Sequence, residues 1–151
     1  MKSISNYLIV ALLLFAAATP LSSQNAPAQT SDADHAKHSL AVNLLRAINT
    51  AEMDYKNKHG AYASKDALLA SEEFVGRGLA WAAKHDPQLA NAKISNGPEI
   101  LPGWSLRLNL TADGQAYDLV LEDLTDKACG YAALTDERGV IRQSKVIDCK
   151  I

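Results

Sequence analysis

Residues 39–62 read SLAVNLLRAINTAEMDYKNKHGAY, and the spacing of their apolar members decides the fold. Leu40, Leu44, Ile48, Ala51 and Tyr55 recur at steps of three and four, which places them on one side of a helix. Ala41 and Leu45 widen that stripe, while Arg46, Asn49, Glu52, Asp54, Lys56 and Lys58 are expected mostly on the opposite side. No proline interrupts the stretch, and Gly60 supplies the left-handed residue that commonly ends a helix. Lys56, Lys58 and His59 put positive charge in the last turn, where the helix dipole favours it. A long amphipathic helix of this kind needs a sheet to cover its stripe.

That sheet is expected at the other end of the chain. Trp104, Leu106, Leu108 and Leu110 alternate with Ser105, Arg107 and Asn109, the pattern of a half-buried strand. Turn chemistry follows at 112–115, and Tyr117, Leu119 and Leu121 then alternate with Asp118, Val120 and Glu122, which completes an antiparallel hairpin. Residues 129–135 and 140–148 are expected as a third and a fourth strand around the turn Asp136-Glu137-Arg138-Gly139. Between helix and sheet the pattern is weaker. Ser64 is placed to cap a short helix running to about Glu73, which Gly76 and Gly78 break. A third short helix over 79–83 stops before Pro87, 86–90 begins another turn, and 93–103 reads as irregular chain with two prolines and two glycines. Helices first and strands after give an α+β fold, with one sheet face on the helix stripe and the other toward water.

The N-terminus has the layout of a secretory signal peptide: one lysine within 1–6, an apolar run over 7–18, then small and polar residues. The run is about 12 residues, short of the ~20 of a spanning helix, so a retained anchor is the less favoured reading. Residues 1–23 are therefore expected as the signal, with the cut between 18 and 26. Residues 24–34, QNAPAQTSDAD, read as a disordered linker, and 35–151 as a single domain in the periplasm or outside the cell. No stable membrane span is expected after signal removal. A net charge of −2 with interspersed signs lacks the basic stripe that nucleic-acid binding requires.

Cys129 and Cys149 are the only cysteines. In an exported chain an even count is most simply one disulfide, and closing a loop of about 20 residues contributes ~3 kcal/mol. A redox or metal pair is the alternative, without CxxC spacing to support it. Centring the last hairpin on its turn sets Cys129 opposite about Val146, so the bond requires a bulge or a final curl of the chain.

The order of these pieces resembles the globular regions of type IV pilins and pseudopilins. The resemblance rests on Leu45-Arg46-Ala47-Ile48-Asn49-Thr50-Ala51-Glu52 followed by Tyr55 and Gly60-Ala61-Tyr62. Three further stretches carry it: Asp86-Pro87-Gln88-Leu89-Ala90, Gly103-Trp104-Ser105-Leu106, and residues 135–142. A C-terminal disulfide fits it too. The sequence departs from a prepilin in having no glycine in 1–6 and no acidic residue in 7–18, and a polar linker separates the apolar run from the amphipathic helix. What the resemblance implies is a pilin-like head exported in soluble form, acting through a protein partner such as a pilus or a type II secretion-like apparatus. A soluble periplasmic module for a small molecule or calcium is the alternative.

No catalytic residue and no cofactor is expected, since phosphate-binding glycine loops, metalloprotease helices and serine-hydrolase elbows are all missing from the sequence. An enzyme using His59 or His85 with nearby carboxylates is the third reading. His35 and His38, near Asp32 and Asp34, have metal-ligand chemistry but sit at a solvated helix start. Asp123, Asp126, Asp136 and Glu137, with Glu122, are the oxygen-rich candidates for calcium, although they lack calcium-loop spacing. Trp81 and Trp104 are candidate recognition aromatics, with the leucine face of the strand as the plainer place for Trp104.

Overall fold

The computed structural model describes residues 32–125 and 130–145. The chain is α+β. Helix α1 spans Asp32–His59, α2 Lys65–Ala70, a π-helical segment Glu73–Gly78, α3 Leu79–His85 and α4 Pro87–Ala90. Five strands follow: β1 Glu99–Leu101, β2 Trp104–Leu110, β3 Tyr117–Asp123, β4 Tyr131–Asp136 and β5 Arg142–Lys145. They form one antiparallel sheet in the order β1-β2-β3-β4-β5. The expected signal at residues 1–23, most of the expected linker, Asp126 and both cysteines lie outside the described residues.

The period of 39–62 sets α1. Leu44, Leu45, Ile48 and Ala51 are fully buried, each large side chain contributing about 1.5–3 kcal/mol by leaving water. Asp32 and Asp34 occupy the first turn, which thus takes up 32–34 of the expected linker; Lys56, Lys58 and His59 occupy the last. Gly60 ends the helix at φ +85°, its N–H donating to the Lys56 carbonyl at 2.7 Å. α1 is covered on two sides. Its sheet side reaches β4 through Asn49, whose Nδ2 donates to Thr135 Oγ1 at 2.9 Å. Its other side carries the π-helical segment, tied on by Lys58–Glu73 at 2.9 Å and Arg77–Asp54 at 3.3 Å.

That second cover corrects two expectations. Glu52, placed by the sequence on the polar side, is fully buried, because the chain folds back after Gly60 over the end of α1. The helix capped by Ser64 stops at Ala70, where Ser71 is extended, rather than near Glu73, and Gly76 and Gly78 lie inside a π-helix that continues into α3. Its start is fixed by Ser71, whose hydroxyl donates to the Leu68 carbonyl at 2.7 Å and accepts the Phe74 N–H at 3.2 Å. At Gly78 an added Cβ would lie 3.0 Å from the Ala47 carbonyl oxygen, so the glycine permits close helix approach. Gly76 meets only Glu72 Cγ, at 3.4 Å. Gly78→Ala is therefore expected to cost about 1–2 kcal/mol against rigid backbone, despite the better helix propensity of alanine. Gly76→Ala should stabilise by about 0.5–1 kcal/mol. Urea unfolding of the two variants checks the opposite signs.

Ser64 caps α2 as expected, accepting from the Ala67 N–H at 3.3 Å, and Asp86 caps α4 through the Gln88 N–H at 3.0 Å. Strands β2 and β3 pair from Leu110↔Tyr117 to Trp104↔Asp123, with Leu106, Leu119 and Leu121 buried against the helices. In the segment expected to be irregular, residues 99–101 form a further strand that pairs Glu99↔Ser105 and Leu101↔Trp104. Three residues between Pro98 and Pro102 are too few to show a period, but Ile100 is fully buried and ties the segment to the core.

Candidate functional site

Of the acidic residues that the sequence offers for calcium, Asp123 and Asp136 stand at opposite ends of β3. Asp136 pairs with Asp118 and Asp123 with Trp104, a separation of about 16 Å at the rise of a strand. Asp123 is buried and satisfied: Oδ2 accepts from Lys37 Nζ at 3.1 Å, and Oδ1 from the Thr125 hydroxyl and N–H at 2.6 and 2.8 Å. Burial pushes its carboxyl up, but the bonds from Thr125 and Lys37 outweigh that and hold it below the usual range. Asp136 is held low by the side-chain bond from Arg138, which also donates its N–H to Oδ1 at 3.0 Å. Glu137 follows in the same turn, Glu122 pairs with Ala132 on the outer face, and Asp126 lies outside the described residues. Among the described residues no group of three or more His, Cys, Asp or Glu is arranged to hold a metal.

Three histidines lie against aromatic rings. His38 stacks on Tyr131 at 4.0 Å and His85 on Trp81 at 4.2 Å, while His59 lies tilted against Tyr55 at 4.2 Å. His85 Nδ1 donates to the Trp81 carbonyl at 2.7 Å, which places the ring proton on that nitrogen. His35 is exposed at the start of α1. Trp81 is 40% exposed, whereas Trp104 belongs to the core.

Sequence reasoning missed the most unusual carboxyl among the described residues. Glu52 Oε2 accepts the Ala63 N–H at 2.8 Å, while Oε1 has no hydrogen-bond partner among the described residues. Burial pushes its carboxyl up to about 7, and the Ala63 N–H only partly opposes this. The signal was present: Glu52 follows Ile48 by one helical turn and sits at the edge of the apolar stripe. Tyr62 and Tyr117 meet edge to face nearby at 4.8 Å, and Lys56 Nζ lies 4.2 Å over the Tyr62 ring. The Tyr117 hydroxyl donates to Asn49 Oδ1 at 2.9 Å; burial, and then the Glu52 charge, push it well above the usual phenol range. This cluster locks α1 to the sheet. Two more bonds finish the lock, Tyr62 N–H to the Gly114 carbonyl at 2.9 Å and Gln115 Nε2 to the Gly60 carbonyl at 3.0 Å.

Three surfaces are open among the described residues. The register of β2–β5 places Arg107, Val120, Leu134 and Arg142 in one row across the outer face of the sheet. A second row runs Asn109, Asp118 and Asp136, with Asn109 Nδ2 donating to Asp118 at 2.8 Å. Arg107 and Arg142 are exposed, Val120 and Leu134 half-buried, and among the described residues the helices pack on the other face. The second surface is concave. A pocket of about 430 Å³ opens between α1, α4 and β1, with Leu40, Leu101 and Trp104 as its floor and Gln88, Asn91 and Lys93 at its mouth. A second groove of about 330 Å³ lies over Phe74 and carries Asp66. Among the described residues no helix is long and apolar enough to cross a membrane. No family model, no curated protein and no solved structure matches this chain.

Proposed function

We propose that this chain is an exported, non-catalytic, pilin-like domain that works through protein–protein contact in the cell envelope or outside the cell. Its partner on this reading is a component of a pilus or of a type II secretion-like apparatus. The observation that carries the reading is the outer sheet face. Its central row sets two aliphatic side chains between two exposed arginines, across four strands, on the side the helices leave uncovered among the described residues. An apolar centre with a charged rim is the composition of a protein-binding patch. A long helix on a meandering antiparallel sheet, with short helical turns between them, supports the pilin-like arrangement at the level of fold.

The test is capture from envelope and sheared-surface extracts with the native domain and with Arg107→Glu/Arg142→Glu. Both arginines are exposed, and Arg142 has only a solvent-facing pair with Asp136 at 3.8 Å, so stability should fall by no more than about 1 kcal/mol per site. The native domain is expected to retain a filament or secretion component, and the charge-reversed domain to lose it. Failure to retain such a component, or equal retention by both proteins, overturns the reading.

A further inference from the structure

The pocket between α1, α4 and β1 has features that a protein-contact face does not need. Its volume of about 430 Å³ falls within the ~300–1,000 Å³ of small-molecule sites. Its floor is apolar and preformed, since Leu40, Leu101 and Trp104 are at most 7% exposed. Three polar side chains converge at the mouth, Gln88, Asn91 and Lys93, and none of them has a hydrogen-bond or ion-pair partner among the described residues. Lys37, Lys56, Lys58 and Lys65 each hold such a partner, and of the two described lysines without one, Lys84 and Lys93, it is Lys93 that lines this pocket. Lys93 is also the sole formal charge in the lining.

We propose that this pocket binds a small amphipathic anion, a carboxylate with an aliphatic or aromatic body. The body lies on Leu40, Leu101 and Trp104. The carboxylate pairs with Lys93 and takes amide hydrogens from Gln88 or Asn91, as an anion in a half-open site requires. Selectivity follows from charge: the groove over Phe74 has Asp66 as its formal charge and disfavours the same ligand. The proposal stands apart from the outer-face contact, because the two surfaces share no residue.

Octanoate and octanamide serve as matched probes, differing in charge but not in apolar body. Trp81→Phe leaves Trp104 as the single tryptophan, so its emission reports occupancy of the floor. Saturable binding of octanoate is expected, with octanamide weaker by about five- to tenfold. Lys93→Gln should remove that difference while leaving octanamide affinity unchanged, and Lys84→Gln should change neither. No saturable octanoate signal, equal affinity for the two probes, or an unchanged preference in Lys93→Gln would each overturn the proposal. The charge-reversed sheet face, Arg107→Glu/Arg142→Glu, should bind octanoate as the native domain does, which keeps failure of one surface distinct from failure of the other.

Discussion

Raising the pH from about 5 to about 8 destabilises this domain, and Glu52→Gln removes most of that loss. Unfolded Glu52 releases its proton near 4.5, whereas the folded residue keeps it up to about 7. A raised carboxyl contributes stability that is complete below the unfolded value and is lost as the pH climbs through the folded one. The shift corresponds to about 3 kcal/mol between the two limits. Glu73, Asp113, Asp123 and Asp136 act in the reverse direction. Each is held below its ordinary range, so each adds stability that disappears only as the pH falls into the acid region. Stability should therefore peak near the point where these carboxylates are ionised and Glu52 is still neutral.

The amide of Glu52→Gln retains an oxygen for the Ala63 N–H and cannot ionise. At pH 8 the variant should exceed the native protein by roughly 1–3 kcal/mol, the lower figure allowing for an amide hydrogen left without an acceptor. At pH 4.5 the order should reverse or the two should coincide. Urea midpoints measured from pH 4 to 9 give both curves. Parallel slopes between about pH 5 and 8 would sink the assignment, since the groups around Glu52, namely Tyr62, Tyr117 and the Lys56 ammonium, are common to both proteins.

Phe74→Ala is expected to cost about 3–5 kcal/mol, the largest single effect in the helical layer. Phe74 is the largest fully buried side chain among the described residues. It projects from the π-helical segment that covers α1, between Glu73, which pairs with Lys58, and Gly78, which approaches the Ala47 carbonyl. Its removal leaves a cavity where the backbone is already pinned on both sides, so the site cannot collapse to recover contacts. The melting temperature should fall by roughly 10–20 °C. Val75, the next residue along, is 54% exposed, and Val75→Ala should change stability by no more than about 0.5 kcal/mol. A loss below about 1 kcal/mol for Phe74→Ala would mean that the helical layer is not part of the cooperative core.

Each element with a period of its own was legible in the sequence. The three- and four-residue steps of Leu40, Leu44, Ile48 and Ala51 define α1, and the alternation in 104–110 and 117–121 defines the central hairpin. The ends marked by Gly60 and Ser64 were legible as well, since each acts through its own backbone or the next turn. What required the tertiary structure were the features made by a second layer. Glu52 has a polar side chain on a stripe edge, and only the returning chain at Ala63 turns that edge into interior. Gly78 is a helix breaker in isolation and a contact point once α1 lies against it. Strand β1 is too short to announce itself, and pairing with β2 alone makes it one. The pocket joins Leu40 to residues 88–93 and 101–104, segments that no local pattern links. Periodicity records which side of one element avoids water, so the sequence by itself determined the periodic elements and the α+β order. How many layers cover a side, and therefore which polar group is stripped of water or left idle at a pocket mouth, is a property of the assembled chain. That, only the tertiary structure decided.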